Sequence, residues 1–460
     1  MPAVPAHPAG VRRSRSAGRY VAGTSSVYWG AQHMPMDVAL LDLAVCVTQA
    51  ADLVNPAMVD HHKRVAYLAD RIARGMELPL EAREDLVMAA AMHDVGALAL
   101  KDLLGALDFE YDDVYTHTEP GYLMLRRFAP FSRISHIVRA HHVQWHDGQG
   151  TEYMGEEVPL ESHIIHLADR IAVLVRRATP VLEQRDGICE RVRAGAREMF
   201  VPEGVDAFLD LSAHESFWLD LIGLPADAGF MKVFDLPERR VSGDALEEFT
   251  HVISQMIDFR SAFTATHSSG VSASAAALGA IHGMSAEELS MMRCAGNLHD
   301  VGKLAVSNEI LEKNGPLDDH EWAIMKTHNY YTHKVISSVG GLDMIGHWAS
   351  YHHERLDGDG YPFHLGASEL DLGARIMAVA DIFTAITEDR PYREGMSRER
   401  AMDVLRTQAE AGAIDVSVVG ALVDSFDRVN GARVAAQEAR KSEYLEFQRD
   451  LEVGAALLAS

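Results

Sequence analysis

Two seven-residue segments, HDVGALA beginning at His93 and HDVGKLA beginning at His299, agree at six positions and stand 206 residues apart. Self-similarity at that distance reads as a duplication, and it can be followed in both directions. Carried back by the same offset, His267 in THSSGVSASAAALG falls on His61 in DHHKRVAYLADRIA. Carried forward with five residues gained, the Thr-His at His328 falls on that at His117, and His352 and His353 fall on His141 and His142. Asp381 in AVADIFTAI then matches Asp169 in HLADRIAVL at an offset of 212. A lone HD dipeptide would carry nothing. Seven ordered positions recurring in both halves leave one bland alternative, histidines retained only as buried, hydrogen-bonded core residues, and that alternative is live mainly for the first half.

Between these positions apolar residues recur at three- and four-residue spacing, as at Val65, Leu68, Ala69 and Ile72, and at Leu86, Ala89 and Ala90. Good helix formers dominate, and alternating runs of Val, Ile and Thr are scarce. The expected fold is all-α, two tandem helical bundles: a flexible leader over 1–36, a first domain over 37–222, a connection over 223–243, a second domain over 244–430 and a charged, exposed C-terminal helix over 431–460. Gly315, the run Asp357 to Gly360, and Pro362 mark loops in the second copy.

With 42 Lys and Arg against 67 Asp and Glu, the formal charge of −25 argues against holding a DNA or RNA polymer by its phosphates. No apolar run is long enough for a membrane span. Three widely spaced cysteines, Cys46, Cys189 and Cys294, suggest neither a disulfide framework nor a thiolate zinc site, and fit a cytoplasmic protein. The 24 histidines are where chemistry is to be sought.

A neighbouring His and Asp on a helix point about 100° apart, so His299 can ligate one ion while Asp300 bridges two. His267, His328, His352, His353 and Asp381 complete a shell of imidazole and oxygen without sulfur, suited to iron, manganese or another first-row metal. Two such ions can share a water, lower its pKa and clamp a phosphate ester. From His299 to Arg393 there are 8 Lys or Arg against 15 Asp or Glu, so without metals the region would repel a phosphate. Lys303, four residues after His299, is placed to stabilise or protonate a leaving alkoxide, and Arg390 and Arg393 to grip phosphate or a guanine edge. The first copy has Ala97 in place of Lys303 and the uncharged ATPVL at the arginine positions.

From about His267 to Arg393, the motifs HDVGK, KTH, YHHERLDGDGYP, AVADIFTAIT and DRPYR make the second half resemble an HD-GYP phosphodiesterase of the HD phosphohydrolase superfamily. The resemblance implies hydrolysis of cyclic di-GMP to pGpG or GMP through a metal-bridging hydroxide, or of 3',3'-cyclic GMP-AMP. It implies metal binding at His267, His299, Asp300, His328, His352, His353 and Asp381, with Asp300 and Lys303 catalytic. The resemblance also implies that Gly360, Tyr361 and Pro362 form the signature loop beside the substrate and that Arg390 and Arg393 bind substrate. Relatives with three metals carry a Glu where this chain has Phe263, so two ions, iron or manganese, are expected. The first half resembles a degenerate HD domain whose His61, His93, Asp94, His117, His141, His142 and Asp169 could form a second metal site, in a regulatory or dimerising role. A homodimer is expected, with GGDEF-type proteins as partners by family analogy. Two other classes stay open: a cyclic dinucleotide receptor or scaffold with little turnover, and a nucleotidase, dNTP hydrolase or di-iron oxygenase.

Overall fold

The computed structural model describes residues 37–53, 59–99, 115–225, 228–259, 265–389 and 394–458. The leader 1–36, Phe263, Arg390 and Arg393 lie outside the described residues.

The first copy runs through α1 (Leu40–Asp52), α2 (His61–Gly75), α3 (Leu80–Met92), α4 (Tyr115–Leu125), α5 (Ser132–Arg139), α6 (Leu160–Leu174), α7 (Val181–Ala194), α8 (Pro202–Ser212) and α9 (Glu215–Ile222). The second follows as α10 (Asp244–Asp258), α11 (His267–Ile281), α12 (Ala286–Leu298), α13 (Asn308–Leu311), α14 (Asp319–Met325), α15 (Thr327–Ile336), α16 (Asp343–Ser350), α17 (Leu372–Thr387), α18 (Arg398–Glu410), α19 (Val416–Asp424) and α20 (Phe426–Leu458). Among the described residues only short strands accompany them: β1 (Asp37–Ala39), β2 (Glu152–Tyr153), β3 (Glu156–Glu157) and β4 (Arg240–Ser242). The protein is all-α, two tandem helical bundles.

The register written in histidines extends to whole elements. Helices α2 and α11 begin and end 206 residues apart, as do α3 and α12 and the 3₁₀ turns Val95–Ala99 and Val301–Ala305 that follow them. In α2 the residues Val65, Leu68, Ala69 and Ile72 are all fully buried, so the apolar spacing does mark the inward face. The glycine after each HD pair has a steric role. A Cβ at Gly302 would stand 1.9 Å from the His328 carbonyl oxygen, and one at Gly96 2.0 Å from that of His117. Only glycine lets each turn press against α15 or α4, the helix that carries the next histidine.

The copies also grip each other reciprocally. Strands β1 and β4, which lead into α1 and α10, pair antiparallel through Asp37 with Ser242 and Val38 with Val241. Helix α1 touches its own 3₁₀ turn and that of the second copy, and α10 does the converse. Phe249 on α10 meets Phe128 and Phe131 of the first copy with ring centroids 5.8 and 6.0 Å apart. The arrangement is that of an isologous dimer held in one chain.

Two expectations about the periphery change. The connection 223–243 is packed down, with Phe230 and Phe234 buried and the Val233 carbonyl accepting from Arg71 at 3.2 Å. The expected boundary at 430 falls inside α20, and that helix is not simply exposed. Its charges turn inward: Arg440, 1% exposed, donates to Ser254 Oγ at 2.6 Å and to Glu443 at 3.1 Å. His251 and Gln255 of α10 reach the same Glu443 carboxylate at 3.1 and 2.9 Å. A charged run thus reads as solvent-facing until its partners on other helices are known. Farther along, Asp450 and Glu446 pair with Arg126 and Arg127 of the first copy at 2.6 and 3.4 Å. Among the described residues no helix is long and apolar enough to cross a membrane.

Candidate metal centre

The HD pair of the second domain sits at a helix end rather than within a helix. Helix α12 stops at Leu298, His299 caps it, and Asp300 (φ −102°, ψ 9°) opens the 3₁₀ turn. Gly302 lets this turn press against α15. Lys303 is therefore one 3₁₀ turn beyond Asp300, and its Nζ donates to Asp300 Oδ2 at 2.5 Å.

Three imidazoles are aimed in the same way. His299, His328 and His352 each donate Nδ1–H to the carbonyl three residues earlier, of Gly296, Met325 and Ala349, at 2.8, 2.6 and 2.7 Å. That bond fixes the tautomer and turns each Nε2 lone pair into the cavity. Asp300 lies between them, Oδ2 3.1 Å from His299 Nε2 and Oδ1 3.7 Å from His328 Nε2. Those three Nε2 atoms and Asp300 Oδ1 are buried without a hydrogen-bond partner among the described residues. Acceptors left in this way are costly to bury, and a cation among them would satisfy all four.

Donor atoms within 4.8 Å of one another form three overlapping groups: His267, His299 and Asp381; His299, Asp300 and His352; and His328, His352 and His353. The seven expected ligands thus come together, with Asp300 in the middle group, which shares His299 with one neighbour and His352 with the other. His267 Nε2 faces Asp381 Oδ1 at 3.2 Å, and its Nδ1 meets the Glu388 carboxylate at 3.1 Å. Burial alone would lower the His267 imidazole, but Glu388 and Asp381 outweigh it and push it up to about 10. Burial lowers His328 to about 3 and His353 to about 4. Burial would raise the Asp300 carboxyl, yet His299 and Lys303 hold it well below the usual carboxylate range. At neutral pH Asp300, His328 and His353 are therefore in ligand form.

The signature loop closes over this cavity. Gly360 is needed for close approach, since a Cβ there would stand 2.4 Å from the Arg355 nitrogen. Tyr361 packs its ring 5.0 Å from that of His353, and the Tyr361–Pro362 peptide is cis. Glu354, buried and missed by sequence reasoning, accepts the Phe363 and Leu365 amides at 2.7 and 2.9 Å and so anchors the loop.

The first domain repeats the aim of the imidazoles but not the surroundings. His93 and His141 donate Nδ1–H to Ala90 and Val138 at 2.8 and 2.7 Å. Asp94 stands between His93 Nε2 (3.1 Å) and His117 Nε2 (3.4 Å), and Asp169 faces His61 Nε2 at 3.2 Å. His61, His93 and Asp94 form one group, and Asp94, His117, His141 and His142 another. Where the second copy has Ser268, however, His62 brings an extra imidazole, 3.5 Å from Asp52. In place of Ile382, the buried Arg170 occupies Asp169 Oδ2 at 2.5 Å. The segment matching the signature loop is instead the β2–β3 hairpin. Of the nearby arginines, Arg177 is exposed and pairs with Asp60 at 3.1 Å.

Comparison with known proteins gives a family model described as HD domain over residues 251–418 and another so described over 58–174. The 3'3'-cGAMP-specific phosphodiesterase 1 of Vibrio cholerae serotype O1 is 27% identical over 396 residues, 84% of this chain and 92% of that protein. The 3'3'-cGAMP-specific phosphodiesterase 3 of that organism is 32% identical, covering 60% of this chain and 59% of its own. A cyclic di-GMP phosphodiesterase of Pseudomonas aeruginosa is 37% identical over 155 residues, 33% of this chain and 37% of that protein. The crystal structure of a cyclic GMP-AMP-specific phosphodiesterase of V. cholerae shares the fold, with a TM-score of 0.60 at 22% identity, covering 85% of this chain and 98% of that one.

Proposed function

We propose, for a chain that belongs to the HD family through two tandem domains, the second of HD-GYP type, that the second domain hydrolyses a cyclic dinucleotide to its linear, 5'-phosphorylated form. Cyclic di-GMP, giving pGpG and onward GMP, is one substrate; 3',3'-cyclic GMP-AMP is the other, favoured by the names of the relatives that span most of the chain. The observation that carries the reading is the bridging place of Asp300, between two sets of inward-aimed imidazoles and within reach of Lys303.

The sulfur-free, imidazole-rich donor set suits iron or manganese, and two such ions would be held by His267, His299, Asp300, His328, His352, His353 and Asp381. When bound, they supply an acidified water and neutralise phosphate charge. The chain's own contribution is positional. Asp300 orders the two ligand sets, and Tyr361 narrows access beside His353. Lys303 Nζ hands a proton to the O3' leaving oxygen as the P–O3' bond breaks. Arg390 follows Asp389 directly in sequence, with Arg393 three residues further on, and both are assigned to the substrate phosphates or bases. GGDEF-type enzymes would be the source of cyclic di-GMP.

The test is anaerobically purified full chain, loaded with iron or manganese and given each dinucleotide separately, with products resolved by chromatography. Linear dinucleotide is expected. Tight binding without turnover would replace the enzyme with a receptor. A companion variant locates the active half: His93→Ala combined with Asp94→Ala should leave most turnover intact. Complete loss in a folded protein would place the chemistry in the first domain.

A further inference from the structure

We infer that Glu388 is a positioning residue for the second metal centre, holding His267 in its metal-binding orientation, and that Gln437 of α20 holds Glu388 in turn. The inference rests on the proposed centre and concerns residues outside its ligand set.

The need arises from where His267 lies. His299, His328 and His352 stand at or near helix ends and find a carbonyl three residues back for Nδ1–H. His267 is the first residue of α11, and its Nδ1 faces a carboxylate where the other three face a carbonyl. A side chain supplies the acceptor instead. Glu388, 4% exposed, places its two carboxylate oxygens 3.2 and 3.1 Å from His267 Nδ1. With Nδ1–H donated there, Nε2 is directed to the face shared with Asp381, and the carboxylate makes the imidazole a better ligand.

Glu388 is itself fixed. It caps α17, the helix that carries Asp381, and its backbone N–H donates to the Thr384 carbonyl at 3.0 Å. Its Oε2 accepts from Gln437 Nε2 at 3.2 Å. The amide cannot be turned round without loss, because Gln437 Oε1 accepts from Arg433 at 2.5 Å. Gly270, three residues after His267, leaves room for this approach, since a Cβ there would lie 2.9 Å from Gln437 Nε2. The first copy lacks the device: by the Asp169 to Asp381 register the position of Glu388 is taken by the exposed Arg176, and by the His61 to His267 register that of Gly270 is taken by Arg64.

The experiment uses the full chain, stripped with chelator and titrated with manganese(II), free ion being followed by electron paramagnetic resonance. Glu388→Ala is expected to weaken one class of sites about 10–100-fold, while the melting temperature of the chelated protein stays near that of wild type. Glu388→Gln keeps an acceptor but loses the charge, and should fall between Ala and wild type. Gln437→Ala should weaken the same class by less than Glu388→Ala. Unchanged manganese affinity in folded Glu388→Ala overturns the inference. If that variant does not fold, Glu388→Gln decides: a few-fold loss supports the assignment and wild-type affinity overturns it. A wild-type chain that binds manganese but cleaves no cyclic dinucleotide sinks the proposed function and leaves this inference standing.

Discussion

Asp300→Ala is expected to bring hydrolysis below detection and to leave the chain with about two fewer ions than wild type, the largest effect of any single substitution in the second domain. The carboxylate lies between imidazoles of both ligand sets, Oδ2 3.1 Å from His299 Nε2 and Oδ1 3.7 Å from His328 Nε2. Removing it takes an anion from among buried imidazoles and leaves the two positions without a shared ligand. Asp300→Asn sharpens the test, because the amide keeps the volume but has one acceptor oxygen and no charge. The same loss is expected. Elemental analysis per chain, together with turnover, checks both variants. A second readout is thermal: ions bound only by the folded state raise stability by about 2.7 kcal/mol per site at a hundredfold excess over Kd. Adding metal should therefore raise the melting temperature of wild type more than that of Asp300→Ala. Full activity in a folded Asp300→Ala protein would remove the bridging role.

What the sequence made legible was what duplication wrote twice. Because α2 and α11, and α3 and α12, keep one offset throughout, a register found from His93 and His299 also located the helices that carry His61 and His267. One more step back would have paired Asp52 with Asp258, the last residues of α1 and α10. These face the residues after the first ligands: Asp52 lies 3.5 Å from His62, and Asp258 accepts from Ser268 at 2.8 Å. What stayed hidden was whatever only one copy has. Glu388, Glu354 and Gln437 have no echo in the first half, and each acts on a residue distant in sequence or on a loop amide. Periodicity cannot report such contacts. The charge pattern of α20 misled for a related reason, since Arg440 and Glu443 are matched by His251 and Ser254 nearly 190 residues earlier. The change from α to 3₁₀ helix at Asp300 was also unreadable from propensity, since the turn packs through Gly302 against α15, which lies some way along the chain.

Lys303→Ala should lower kcat by ~10²-fold or more while metal content and KM stay close to wild type. The loss corresponds to about 2.7 kcal/mol of transition-state stabilisation. Fold damage is an unsuitable explanation for such a result, because the substitution turns HDVGKLA into HDVGALA, the sequence the first copy already folds into the same 3₁₀ turn with Ala97 buried. Lys303 is no ligand, so the ions should remain. Its ammonium sits on Asp300 Oδ2 at the edge of the cavity, with the Lys303 side chain 14% exposed against 4% for that of Asp300. From there it can serve a leaving oxygen without crossing the ligand shell. The split between kcat and metal content is the decisive readout: a structural role would lower both, and a proton donor only the first. An unchanged rate would end the catalytic assignment of Lys303. It would also remove one of the differences that make the second domain the active one, leaving the signature loop, the absence of Arg170 and the two arginines of DRPYR to explain the asymmetry.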